Sequence, residues 1–252
     1  MSRIVYDVLN LLEIFCKNCI PMGITELSNL LLEGKSSIFK NIKILEELEY
    51  IEQDQESKKY RLTTKLLEIV NESLKCYYGR TKITKYLKTI TEKTGETCYF
   101  GIKNKKNRIV YVDRFLNDSM IAINTNIGES PLPYCTAHGK ALLAFLDTED
   151  IENIVKEGFE KFTENTVTNK QELFEKLKNI RVNGYAMDEE EREKGFRCIA
   201  APVFNSKKEA IGAIGISGTI QSLTEDRVKE YAKIIKEVAD KVSINIGNEA
   251  IY

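Results

Sequence analysis

Four side chains far apart in the sequence carry its densest chemistry: Cys135, His138, Asp188 and Cys198. His138 is the only histidine in the 252 residues. Thiolate, imidazole and carboxylate are ligand types that zinc accepts, and a thiol beside an imidazole is the pairing of a cysteine nucleophile with its base. Nothing in the spacing fixes a metal geometry. Cys198 falls at the start of a strand-like run, and a single histidine would have to serve either thiol. Cys16 and Cys19 form a CxxC, but no second ligand pair follows at zinc-ribbon distance, so they read as small helix residues. No metal and no cofactor is assigned.

A different chemistry gathers near the N-terminus. Lys35, Ser36, Ser37, Lys40, Asn41 and Lys43 occur without an intervening acid, and Glu46, Glu47 and Glu49 follow only afterwards. Ammonium and hydroxyl donors suit phosphate oxygens, and an asparagine amide suits a base edge. Ile38, Ile42, Leu45 and Leu48 place these polar groups on a helix over about residues 36–49. A shorter helix carrying Leu27, Leu30 and Leu31 precedes it, with Thr25 at the N-cap position and counted among the expected DNA-contacting residues. The first helix, about residues 3–17, shows Val5, Val8, Leu9, Leu12 and Phe15 at helical spacing. Two short strand-like segments around Ile51 and Tyr60 enclose a polar tip, and Lys58, Lys59 and Arg61 make the tip and return strand basic. Three helices and a hairpin are the order of a winged helix-turn-helix, whose third helix enters the major groove of double-stranded operator DNA. The competing reading is a small helical domain used for protein contacts only.

Charge alone does not decide between them. Residues 1–62 hold 8 basic and 10 acidic side chains, and the whole chain is near neutral at −1. Hydrophobic residues make up 42% and charged ones 30%, enough apolar content for a sizeable core and for two domains at this length. No apolar run is long enough to span a membrane, and cysteines without a secretory signal point to the cytoplasm.

The rest of the chain changes period. Residues 63–80 continue helically as a linker, and Ile83, Tyr86, Leu87 and Ile90 mark a further helix. Strands are expected over residues 98–102, 108–114, 120–125, 198–204 and 210–217, with helices over 137–146, 148–157, 169–182 and from Thr224 onward. The expected class is α+β: residues 1–62 as a winged helix-turn-helix, and residues 81–252 as an antiparallel sheet flanked by helices. The acidic run from Asp188 to Glu193 reads as a solvated turn and helix start, with Asp188 alone singled out.

Three blocks then stand in order: Gly95-Glu96-Thr97; Tyr134-Cys135-Thr136-Ala137-His138-Gly139-Lys140-Ala141-Leu142-Leu143-Ala144; and Gly184-Tyr185-Ala186-Met187-Asp188-Glu189-Glu190-Glu191 running through Gly195 to Arg197-Cys198-Ile199-Ala200-Ala201-Pro202-Val203. With Ser217-Gly218 and Leu223-Thr224 they resemble the effector-binding domain of the IclR family of bacterial transcription regulators, and the N-terminal module is similar to that family's reading head. Departures are Leu32-Glu33-Gly34 before the third helix, Phe39-Lys40 within it, and the order Leu132-Pro133. The resemblance implies a GAF-like fold that binds a small, carboxylate-bearing metabolite and thereby modulates operator affinity, in a homodimer or a dimer of dimers. Its ligand positions map onto Ala137, His138, Asp188, Cys198 and Ser217, with Gly215 where some members carry a hydroxyl. Met120, Ile121 and Ile123 would supply apolar wall. Thr136 would cap the helix at Ala137, leaving the Ala137, His138 and Gly139 N–H groups to form an anion site. His138 would meet the ligand, join a metal with Asp188 and Cys198, or merely fill a gap. A non-enzymatic regulator is the expectation; the alternatives are a GAF-like thiol enzyme and a metal-responsive regulator.

Overall fold

Two glycines in extended conformation, Gly23 and Gly34, stand at the N-caps of the second and third helices. The structure, a computed structural model, describes residues 3–76, 80–117 and 125–246. The chain divides into two compact units, Met1–Cys76 and Tyr77–Tyr252.

The first unit runs α1 (Arg3–Asn18), α2 (Ile24–Leu31), α3 (Lys35–Glu47), β1 (Ile51–Gln53), β2 (Tyr60–Leu62) and α4 (Lys65–Cys76), with β1 and β2 antiparallel. This is the winged helix-turn-helix order. Its core joins Val8, Leu11 and Phe15 of α1 to Leu27, Ile38, Ile42, Leu45, Ile51 and Tyr60. A bridge between Met22 and Tyr60 ties the α1–α2 corner to the hairpin, each backbone N–H donating to the other's carbonyl at 2.9 Å.

Several local expectations are corrected here. Thr25 is not the cap of α2: Gly23 is, and its N–H donates to Glu26 Oε2 at 2.7 Å, so the helix starts two residues earlier. The buried face of α1 runs through Leu11, while Val5 and Leu9 are exposed. That helix carries apolar residues all round, so periodicity alone could not choose a face. Leu48 is exposed because α3 ends before it, whereas Asn41 is buried between Ile38 and Leu45 on the core face.

The second unit contains α5 (Arg80–Thr94), β3 (Thr97–Lys103), β4 (Ile109–Phe115), a 3₁₀ turn at Pro133–Cys135, α6 (Ala137–Leu143), α7 (Thr148–Ile154), α8 (Lys170–Asn183), β5 (Ala186–Glu189), β6 (Phe196–Phe204), β7 (Ala210–Thr219) and α9 (Glu225–Ile246). The five strands form one antiparallel sheet in the order β4-β3-β7-β6-β5. Side chains alternate across it. Cys98, Phe100, Ile199, Ala201, Ile214 and Ile216 pack against α5 and α9. Tyr99, Ala200 and Ala213 face the opposite core, built with α6, α7 and α8. The expected strand over residues 120–125 lies almost wholly outside the described residues. β5 takes the place of the helix start expected in the acidic run.

Candidate functional site

Register assembles the site. Asp188 pairs with Cys198 across β5 and β6, and Cys198 pairs with Ser217 across β6 and β7. Directly opposed residues of an antiparallel ladder share a face. Three positions far apart in sequence thus form one row on the α6 side of the sheet. With Ala137 and His138 at the start of α6 they line a cavity of about 230 Å³. Tyr99, Tyr111, Thr125, Pro131 and Thr136 complete its wall, and Glu129, Arg192 and Glu193 line it as well.

Thr136 caps α6 as expected, its hydroxyl accepting the Gly139 N–H at 3.1 Å. That bond removes Gly139 from the anion site read from the sequence. Gly139 does not line the cavity; a Cβ there would lie 2.3 Å from the Pro133 carbonyl oxygen. Because the obstacle is backbone, Gly139→Ala is expected to lose about 1–3 kcal/mol of stability as α6 is forced off the 3₁₀ turn, read by chemical denaturation. Gly215 is likewise off the cavity: its Cβ would meet the Ile199 carbonyl oxygen at 2.2 Å, so a hydroxyl residue would push β6 and β7 apart. Met120 and Ile123 lie outside the described residues.

His138 is buried, with Nε2 at 3.3 Å from the Tyr99 carbonyl oxygen. A carbonyl only accepts, so Nε2 carries the proton and Nδ1 keeps a lone pair. The ring sits edge-on to Tyr111, centroids 5.1 Å apart. Burial drives its pKa down to about 4, against the hydrogen bond to Tyr99. It is a neutral group at physiological pH. Asp188 is pushed the other way, up to about 6, by burial first, with Lys140 opposing and Glu191 adding to the rise. The Ser217 hydroxyl is buried without a hydrogen bond of normal geometry; its neighbour is the Cys198 thiol, a weak partner.

Cys135 and Cys198 are not poised as nucleophiles. Burial pushes Cys135 up to about 12 and Cys198 higher still, so both stay protonated near neutrality. Among the described residues, no three His, Cys, Asp or Glu side chains gather as a metal site.

Behind the cavity lies a feature the sequence did not announce. Lys140 of α6 and Glu191 are both buried to 1% exposure and joined by a short ion pair. Lys176 of α8 reaches the same Glu191 oxygen at 3.1 Å. The Glu191 N–H donates to Asp188 Oδ1 at 2.8 Å, so this pair stands directly behind the cavity carboxyl. Arg192, the next residue, lies over the Phe162 ring at 3.9 Å from its centroid.

In the first unit, Thr25, Lys35, Ser36, Ser37, Lys40 and Lys58 are exposed. Lys43 pairs with Glu46, Lys59 with Glu26 and Arg61 with Glu52. Asn41, buried on the core face, does not reach a base edge.

Comparison with known proteins adds what geometry cannot. Residues 79–244 match the family described as bacterial transcriptional regulator IclR, C-terminal. The HTH-type transcriptional regulator KdgR of Escherichia coli (strain K12) is 33% identical over 90% of this chain and 86% of its own. Among solved structures, the Thermotoga maritima IclR superposes with a TM-score of 0.74 at 28% identity, covering 98% of this chain and all of that one. An IclR homologue from Microbacterium hydrocarbonoxydans, complexed with 4-hydroxybenzoate, has the same fold, with a TM-score of 0.80 at 16% identity over 96% of this chain and 98% of that one.

Proposed function

Since this chain belongs to the IclR family of transcriptional regulators, we propose that its 230 Å³ cavity is the effector site and that occupancy changes the grip of the N-terminal unit on operator DNA. The observation that carries the reading is the buried Ser217 hydroxyl, left without a normal hydrogen bond beside Asp188 and Cys198 in one cross-strand row. Such a group calls for a partner that arrives with the ligand. Ala137, His138, Asp188, Cys198 and Ser217 touch that ligand. Its carboxylate is met by Arg192, the one cationic side chain among the residues lining the cavity. Its hydroxyl or carbonyl groups meet Asp188, Ser217 and the neutral His138. Gly139 and Gly215 stand outside the cavity lining and make no contact with it. The aromatic hydroxy-acid bound by the Microbacterium homologue is a ligand of this general kind.

Operator contact falls to the exposed donors at the start of α3, Lys35, Ser36, Ser37 and Lys40, with Lys58 at the hairpin tip. Lys43, Lys59 and Arg61 reach phosphate only by exchanging their carboxylate partners. The protein is a regulator without catalytic activity, working in the cytoplasm; among the described residues no helix is long and apolar enough to cross a membrane. A homodimer or dimer of dimers suits the exposed apolar side chains Ile4, Val5 and Leu9 on α1 and Leu67, Ile69 and Val70 on α4.

The test is a thermal-shift screen of small hydroxy- and keto-acids, 4-hydroxybenzoate among them, on the full chain. A true effector at about 100 times its Kd stabilises by about 2.7 kcal/mol. The shift should vanish in Ser217→Leu, which fills the cavity. No stabilisation by any acid, or an equal shift in the filled variant, removes the cavity from consideration.

A further inference from the structure

We infer that Cys16 and Cys19 form a reversible thiol–disulfide site at the α1–α2 corner, whose closure is felt at the hairpin of the same unit. Both thiols are exposed, whereas Cys98 and Cys135 are buried and Cys198 is half-buried. Among these cysteines the pair is therefore the one open to a reagent in solution. Cys16 sits in the last turn of α1, and Cys19 has just left it, with a left-handed φ of 53° and its N–H still donating to the Phe15 carbonyl at 3.0 Å. The Cys19 Sγ lies 3.0 Å from the Cys16 carbonyl oxygen, so its sulfur is folded back over its partner residue. Partial burial first, then Cys19 and Glu13, raise the Cys16 thiol above its ordinary range.

A disulfide needs Cβ atoms about 3.5–4.5 Å apart. Closure therefore moves Cys16 and Cys19 against each other at a helix end, where backbone bonds are fewest. The reagent is a low-molecular-weight disulfide. One thiolate of the pair attacks it, releasing one small thiol and leaving a mixed disulfide. The second thiolate displaces the other small thiol and forms the Cys16–Cys19 bond. Two protein thiols are oxidised, one small disulfide is reduced to two thiols, and no other oxidant is needed.

The consequence follows from what lies next in the chain. Three residues beyond Cys19, Met22 exchanges both backbone hydrogen bonds with Tyr60 in an isolated bridge. The bridge stands alone on the Met22 side, while Tyr60 is also held by Gln53 in the hairpin, and Gly23 immediately after Met22 caps α2. Movement of Cys19 toward α1 is passed to this bridge and from it to the hairpin.

The full-length protein is equilibrated with oxidised and reduced glutathione and mapped by peptide mass spectrometry. The expected product is a loss of about 2 Da in the peptide that holds both cysteines, reversed by dithiothreitol. Cys16→Ser should instead give a glutathione adduct on Cys19, and Cys19→Ser one on Cys16. Hydrogen exchange at Met22 and Tyr60 should quicken about fivefold or more on oxidation of the wild type and stay unchanged in both variants. Glutathione adducts on both wild-type cysteines, a covalent dimer through either, or reaction confined to other cysteines would overturn the site. A clean disulfide with unchanged exchange at Met22 and Tyr60 would overturn the coupling to the hairpin.

Discussion

Glu191→Gln is expected to destabilise the C-terminal unit by about 3–5 kcal/mol, the range for breaking a buried ion pair from one side. The substitution keeps the shape of the side chain and removes only its charge. Lys140, 1% exposed, would then hold an ammonium against a neutral amide, with Lys176 beside it and no remaining carboxylate at bonding distance. At roughly 2–4 °C per kcal/mol for a domain of this size, thermal unfolding should drop by about 6–20 °C. Glu164→Gln is the control, because the Lys194–Glu164 pair is 74% and 70% exposed and solvent screens such pairs almost completely. A loss below about 1 kcal/mol for Glu191→Gln would mean that water reaches the pair, and the interior assignment would fail. Lys140→Met with Glu191→Leu should recover most of the stability, since both charges leave together. The double variant also asks whether the pair orients Asp188: effector binding should remain impaired when stability returns.

Why this pair escaped a reading of the sequence is instructive in physical terms. Asp188, Glu189, Glu190, Glu191 and Glu193 look like a solvated acidic turn, because five carboxylates within six residues ordinarily repel into water. Pairing of β5 with β6 turns Asp188 inward, and a left-handed residue at Glu190 (φ 58°) turns Glu191 in after it. The opposing cation was equally hidden: every residue of α6 is buried, so that helix has no polar face against which an inward Lys140 would stand out. Long-range pairing decides both, and neither has a local signature. Arg192 escaped with them, carried to the cavity by the same turn.

Other features were open to inspection. The hairpin strands, β3, β4, β6 and β7 fall close to their expected spans, because alternation and turn residues act locally. Asn41 is a case where the signal was present and misweighed. It stands three residues after Ile38 and four before Leu45, on the stripe that packs inward, so spacing argued for burial even though its chemistry argued for DNA. The row Asp188–Cys198–Ser217 came from family resemblance and not from spacing; three-strand register cannot be deduced from one chain's periodicity.

The cavity holds two groups that titrate against each other, and their separation is the second large effect. His138 ordinarily titrates at 6.5 but is held at about 4, so below pH 6.5 the unfolded chain takes a proton that the native state refuses. Stability is lost as pH falls from 6.5 toward 4, by about 3 kcal/mol at completion. Asp188 ordinarily titrates at 3.8 but is raised to about 6, so the native state takes its proton first. Stability is gained as pH falls from 6 toward 4, again by about 3 kcal/mol at completion. The two slopes nearly cancel in the wild type, which should show no net dependence on this pair between pH 6.5 and 4.5. Asp188→Asn leaves the histidine slope uncompensated, and acidification over that interval should cost about 2–3 kcal/mol more than in the wild type. His138→Gln leaves the carboxyl slope alone, so the variant should hold its stability in acid about 2–3 kcal/mol better than the wild type. Carboxylates away from the cavity contribute equally to all three proteins, so the differences between urea-denaturation profiles isolate the pair together with Glu191, which is bonded to Asp188. Three parallel profiles would mean that neither group is desolvated in the native state, and His138 would then be free to act as a cation toward an acidic effector.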